Sequence, residues 1–258
     1  MLPRSRIKPI QRVRFLIQAV FFTLAIFTVW RFWGAAGSHQ VCPLAIIETP
    51  ILAAHHSILP DFFTIGIGIG AFFILTSAVL SRVFCGWVCP VGFVSRILHW
   101  PGRLIGIRVR VPVGLNNNLG WIAFVVLFYV AAGTAINGRL WCIGGCPLFW
   151  QSAMWKMPVP LITIILLAIF VAGSVAIERF FCRWFCPYGA ILGLIGRFSI
   201  FAIRRDVSRC TSCHECDICS MGTLPQNTAL VRGSMCISCL RCTETCPEGN
   251  LRLGLRRK

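Results

Sequence analysis

Charge is scarce in this 258-residue chain: Asp, Glu, Lys and Arg together make up 13%, and carboxylates are scarcest, at 8 against 25 basic side chains. A soluble globule of this length needs far more charge on its surface, so that class is excluded. Glycines 66, 68 and 70 lack the following Lys-Ser or Lys-Thr of a phosphate loop. They lie in an apolar run, where close helix packing explains them better. No attached haem or flavin is expected.

What the chain does have is apolar surface and thiols. Hydrophobic residues make up 57% of it, and the mean hydropathy is +0.76, which implies residence in a bilayer. The net charge of +17 would raise nucleic acid as a partner, but the Lys and Arg residues gather at the ends of apolar runs. The positive-inside bias accounts for them, and no nucleic-acid partner is expected. Fifteen cysteines in short grouped spacings point to metal ligation rather than to a disulfide scaffold.

Four charge-poor stretches approach the ~20 residues that a helix needs to cross a bilayer: about 15–33, 62–80, 119–136 and 159–177. The first could be read as a signal peptide, because Ala35-Ala36-Gly37-Ser38 follows it, but the third stretch repeats it and favours a retained helix. The cysteines carry the same repeat. Arg82-Val83-Phe84-Cys85-Gly86-Trp87-Val88-Cys89-Pro90-Val91-Gly92 matches Arg179-Phe180-Phe181-Cys182-Arg183-Trp184-Phe185-Cys186-Pro187-Tyr188-Gly189, 97 residues on, and Cys42-Pro43-Leu44 matches Cys146-Pro147-Leu148. The expected fold is an all-α membrane protein of four transmembrane helices in a tandem two-helix repeat. Segments 93–107 and 188–203 are expected as helices lying in the interface after spans two and four.

Orientation follows from the basic residues. Five lie before the first span, five follow the second and twelve run from Arg179 onward, whereas the opposite side has only Arg31, Arg139 and Lys156. Both termini are therefore expected in the cytoplasm. Residues 1–200 form the membrane domain, and 205–250 a small cytoplasmic ferredoxin-like domain.

The strongest motif is Cys236-x2-Cys239-x2-Cys242-x3-Cys246-Pro247. Three close thiolates wrap one cubane and the fourth cysteine crosses to a second. With Cys210, Cys213, Cys216 and Cys219, the crossed rule assigns Cys210, Cys213, Cys216 and Cys246 to one [4Fe–4S] cluster. Cys236, Cys239, Cys242 and Cys219 go to the other. Cys219 departs from the pattern, arriving one residue early and followed by Ser220 instead of proline. Zinc ribbons also use Cys-x2-Cys, but two sets of four, one ending in Cys-Pro, favour iron–sulfur.

Cys85, Cys89, Cys182 and Cys186 form a second constellation. An i, i+4 spacing on a helix puts two sulfurs on one face, so four could converge from the two halves and hold a further metal or cluster; buried thiols capping helix ends are the alternative. On the external side, His39, Cys42, Cys142 and Cys146 are weak candidates for a ligand set or a disulfide. Glu48, His55, His56 and Asp61 fall in an external loop, where they are either solvated or accept protons from quinol.

Four spans, two cytoplasmic Cys-x3-Cys-Pro motifs and a two-cluster ferredoxin segment resemble the NapH/MauN family of ferredoxin-type membrane proteins, over about residues 10–247. The resemblance implies the electron-transfer subunit of a quinol dehydrogenase in the bacterial inner membrane. Such a subunit draws on the quinone pool and serves a periplasmic reductase, beside a periplasmic ferredoxin-like subunit or a multihaem cytochrome. The second reading is an assembly factor that reduces or delivers a metal or thiol to an oxidoreductase.

Overall fold

The computed structural model describes residues 9–31, 44–56, 63–107, 109, 111–138, 141, 161–208, 210, 213, 218–223, 231 and 234–256. In chain order the elements are α1 (Pro9–Arg31), α2 (Ala45–His56), α3 (Phe63–Leu80), α4 (Val83–Trp87), α5 (Pro90–Leu104), α6 (Val113–Leu119), α7 (Ile122–Asn137), α8 (Leu161–Ala176), α9 (Phe180–Trp184), α10 (Pro187–Gly196), β1 (Phe201–Arg205), α11 (Arg241–Thr245) and β2 (Leu251–Leu255). The chain is mostly helical, as expected. One 19-residue window, Pro9–Phe27, is long and apolar enough to cross a membrane; the other apolar helices are shorter. At about 1.5 Å per residue, the 16 residues of α7 reach about 24 Å.

Several helices bury polar side chains on the inner face. In α1, Gln11, Arg14 and Gln18 are buried while Val13, Leu16, Val20, Leu24 and Phe27 face outward, because the i, i+3, i+7 positions share one helical face. That polar face packs on α5. Ser77 of α3, Thr134 of α7 and Ser174 of α8 are likewise buried, and Leu75, Phe128 and Ile169 on the same helices are exposed.

Packing crosses between the segments that the sequence aligns. Helix α5 packs on α8, whereas α10 packs on α3 and α7. Gly102 lets α5 approach α8 so closely that a β-carbon there would meet the Val175 carbonyl. The reading of 188–203 as an interfacial helix needs correction. Helix α10 buries Tyr188, Gly189, Ala190, Leu192, Gly193 and Gly196, since its small residues admit neighbours at close range, and the chain becomes strand from Phe201.

Two further expectations change. Glu48 sits not in a solvated loop but on α2, fully buried, where its Oε1 accepts from Thr134 Oγ1 at 2.8 Å and from the Trp141 amide at 3.0 Å. His55, at the end of α2, pairs through its ring with the Ala135 carbonyl. Gly66 and Gly70 are buried as close packing requires, but Gly68 faces open space. Strands β1 and β2 pair antiparallel, Phe201 opposite Leu255 and Arg205 opposite Leu251, and so clamp together the two ends of the cysteine-rich segment.

Candidate iron–sulfur sites

In each paired motif the first cysteine lies inside a five-residue helix, Cys85 in α4 and Cys182 in α9. The second is the N-cap of the helix that follows, Cys89 for α5 and Cys186 for α10. The two sulfurs therefore do not share one continuous helix, because the chain breaks at residues 88 and 185 and restarts on proline. Proline at the first helical position needs no amide partner and pre-sets the backbone, which is the local reason for the Cys-Pro pairs. Capping gives Cys186 a donor: the Gly189 amide lies 3.3 Å from its sulfur. Cys89 makes no such side-chain cap bond, although the nearby Gly92 and Val91 amides favour its ionised form.

The four thiols lie within one another's fields. Burial pushes Cys85 and Cys182 up to about 12, neighbouring thiols push in the same direction, and Arg82 and Arg179 pull back. Cys89 and Cys186 are raised too, again first by burial. Such thiols ionise when a cation takes them as ligands. Among the described residues, no three His, Cys, Asp or Glu side chains gather as tightly as a single metal ion requires. The donor set, four thiols from two halves, fits an iron–sulfur cluster.

In the C-terminal segment, Cys219, Cys236, Cys239 and Cys242 also share a common field, and this is the set that the crossed rule groups. Cys236 is pushed up to about 12 by burial, against hydrogen bonds at Ser238. Cys242 is raised as well, by burial and then by its neighbouring thiols. Of the other set, Cys210, Cys213 and Cys246 are described, and Cys216 lies outside the described residues, as do His39, Cys42, Cys142 and Cys146. One sequence expectation needs correction here. Cys210-Thr211-Ser212-Cys213-His214 has the form of a haem-attachment run, although its cysteines sit in a series at spacings of three that also suits a cubane.

The C-terminal cysteine-rich segment is bonded directly to the paired motifs. The Cys236 carbonyl accepts from the Arg82 amide at 3.2 Å and from Ser81 Oγ at 3.0 Å. Trp87 Nε1 donates to the Ser238 carbonyl at 2.9 Å, and Gln11 Nε2 to that of Cys239 at 3.0 Å. On the second half, Arg183 donates to the Ser220 carbonyl through Nε at 3.1 Å. Asn116 accepts from Trp184 Nε1 at 3.1 Å and donates to the Met221 carbonyl, also at 3.1 Å. One buried core contains both Cys85 and Cys239, with Cys89, Cys186 and Cys219 packed against it.

Sequence reasoning passed over Ser81, Arg82, Asn116 and Arg179. For the two arginines a signal was present, because each stands three residues before the first cysteine of its motif in both copies. Asn116 carried none.

A family model described as a 4Fe-4S binding domain matches residues 62–108 and 159–208, the segments that hold the two paired motifs. The chain is similar to the ferredoxin-type protein NapH of Haemophilus influenzae, at 29% identity over 93% of this chain and 86% of that one. It is 24% identical to NapH of Escherichia coli over 91% of this chain and 84% of that one. With the methylamine utilization ferredoxin-type protein MauN of Methylorubrum extorquens it shares 25% identity over 78% of this chain and 70% of that one. No solved structure matches it.

Proposed function

Because the chain belongs to the NapH/MauN family of ferredoxin-type proteins, we propose that it is an iron–sulfur electron carrier of the bacterial inner membrane. In this reading it takes electrons from quinol and passes them towards a periplasmic reductase, or towards a ferredoxin-like or multihaem cytochrome partner. The observation that carries the proposal is the single buried core that joins Cys85 of the paired motifs to Cys239 of the ferredoxin-like segment. The four paired-motif cysteines hold one cluster, and the sets led by Cys210 and Cys236 hold two more. A [4Fe–4S] cluster carries one electron at a time, at a potential set by its surroundings.

The four-span membrane reading draws support from the outward apolar faces of α1, α3, α7 and α8. Helix α7 adds to it by running from the end beside Asn116, which contacts the ferredoxin-like segment, to the end where Thr134 meets Glu48. One end carries the described cysteines, the other a buried carboxylate. Oxidation of a quinol yields quinone, two electrons and two protons; Glu48 and His55, among the described residues at that end, are ionisable groups placed to receive them.

The test is anaerobic rapid mixing of purified protein with a quinol, following cluster bleaching. Serine at Cys85, Cys89, Cys182 or Cys186 is expected to slow delivery at least about tenfold while leaving the other clusters intact. Delivery unchanged after replacing all four sinks this route. Transfer of a thiol or metal to a partner without quinol-dependent bleaching would favour the assembly-factor reading.

A further inference from the structure

Resting on the reading of Cys85, Cys89, Cys182 and Cys186 as a cluster site, we propose that Arg82 and Arg179 are its counter-charges. Each reaches from its own half to the cysteine-headed helix of the other half, and together they set the charge and potential of an anionic centre. The crossing is visible at the glycines that follow the cysteines. A β-carbon at Gly92, beside Cys89, would lie 2.8 Å from Arg179 Nη1; one at Gly189, beside Cys186, would lie 3.7 Å from Arg82 Nη1 and 3.5 Å from the Cys186 sulfur. Arg179 also donates to the carbonyl of Cys85, and the Arg82 guanidinium rests against Gly193 of α10.

Both guanidinium groups are buried, with side-chain environments 7% and 0% exposed. Nε of Arg82, and Nε and Nη2 of Arg179, have no hydrogen-bond partner among the described residues. Glu178, next to Arg179 in the chain and within its field, gives the hydrogen bonds of both its oxygens to Arg241. What surrounds Arg82 is sulfur, with Cys85, Cys186, Cys182 and Cys236 all in its field. Buried cations with idle donors need an anion. A cubane with four thiolates carries about −2 when oxidised, and two guanidinium groups bring the centre to neutrality. Hydrogen bonds and charge around a metal's ligands tune its potential, so the arginines are positioning residues.

The test uses full-length protein purified anaerobically in detergent, with iron and labile sulfide assayed and each centre titrated against potential by EPR. Wild type is expected to hold about twelve irons, falling to about eight when the four cysteines become serine. Arg82→Gln or Arg179→Gln should make the centre that the serine variant lacks about tenfold harder to reduce, about 59 mV downward for a one-electron couple. Arg82→Lys or Arg179→Lys should recover most of that shift, with the other centres unmoved as proof of folding. In wild type labelled with nitrogen-15 arginine, pulsed EPR should detect guanidinium coupling to the same centre even if the glutamine variants fail to accumulate. Wild type with about eight irons overturns the cluster reading, and the proposal with it. About twelve irons with unshifted glutamine variants, or with no arginine coupling, overturns the proposal alone.

Discussion

Gly86 has no room for a side chain, because the carbonyl of Ile237 occupies the place where a β-carbon would stand. Its own carbonyl accepts from Arg14 Nε and Gln18 Nε2, both at 2.8 Å, so α1, α4 and the Cys236 loop meet at one residue. Gly86→Ala is expected to cost about 1–3 kcal/mol as an overpacked contact. It should speed loss of iron to a chelator from the Cys236 set, while Gly68→Ala, which faces open space, leaves that rate unchanged. Equal rates for the two variants would mean that the loop is held elsewhere.

At the scale of elements, Glu178 links the corner before α9 to α11. It accepts from Arg241 at 3.0 and 3.2 Å. Burial alone would push its carboxyl up, but Arg241 outweighs burial and holds it at about 2, below an ordinary 4.5. A depressed carboxylate contributes stability that is fully present above its ordinary value and is lost as pH falls through 4.5 towards 2. Hydrogen-exchange protection of α11 should therefore be flat from pH 8 down to about 5 in wild type. In Glu178→Gln it should be lower throughout, by about tenfold or more, since Arg241 is left without its partner. Wild-type protection that already declines between pH 8 and 6 would show that another group governs the joint.

At the scale of the molecule, α1, α3, α7 and α8 each bury polar side chains and turn large apolar residues outward, and the described cysteines gather where the paired motifs meet the C-terminal segment. The proposed membrane reading puts a bilayer around the apolar faces, and the positive-inside bias then puts the basic N- and C-terminal segments on the cytoplasmic side. Reporter fusions after residue 118 and at the C-terminus are expected to read cytoplasm, and fusions near 50 and 150 the external side. An external C-terminus would put the ferredoxin-like segment in the wrong compartment and reverse the proposed electron route.

Much was legible in the chain because its signals are local. Apolar runs located four of the helices, although α1 starts at Pro9, six residues before the run at 15; the Cys-Pro pairs mark helix starts, and the 97-residue offset between motifs needs no coordinates to see. Scarce acid and abundant thiol pointed to membrane and metal for the same reason: composition reports the solvent and the ligand chemistry directly. What only the tertiary structure decided depends on groups far apart in sequence. Helix α10 is buried because Arg82, more than a hundred residues earlier, rests on its glycines. Glu48 left its expected loop because Thr134 and the Trp141 amide supply the donors that make its burial tolerable. The arginines cross to the opposite half because each cysteine-headed helix packs on the other half's apolar helix, a pairing that no local pattern encodes.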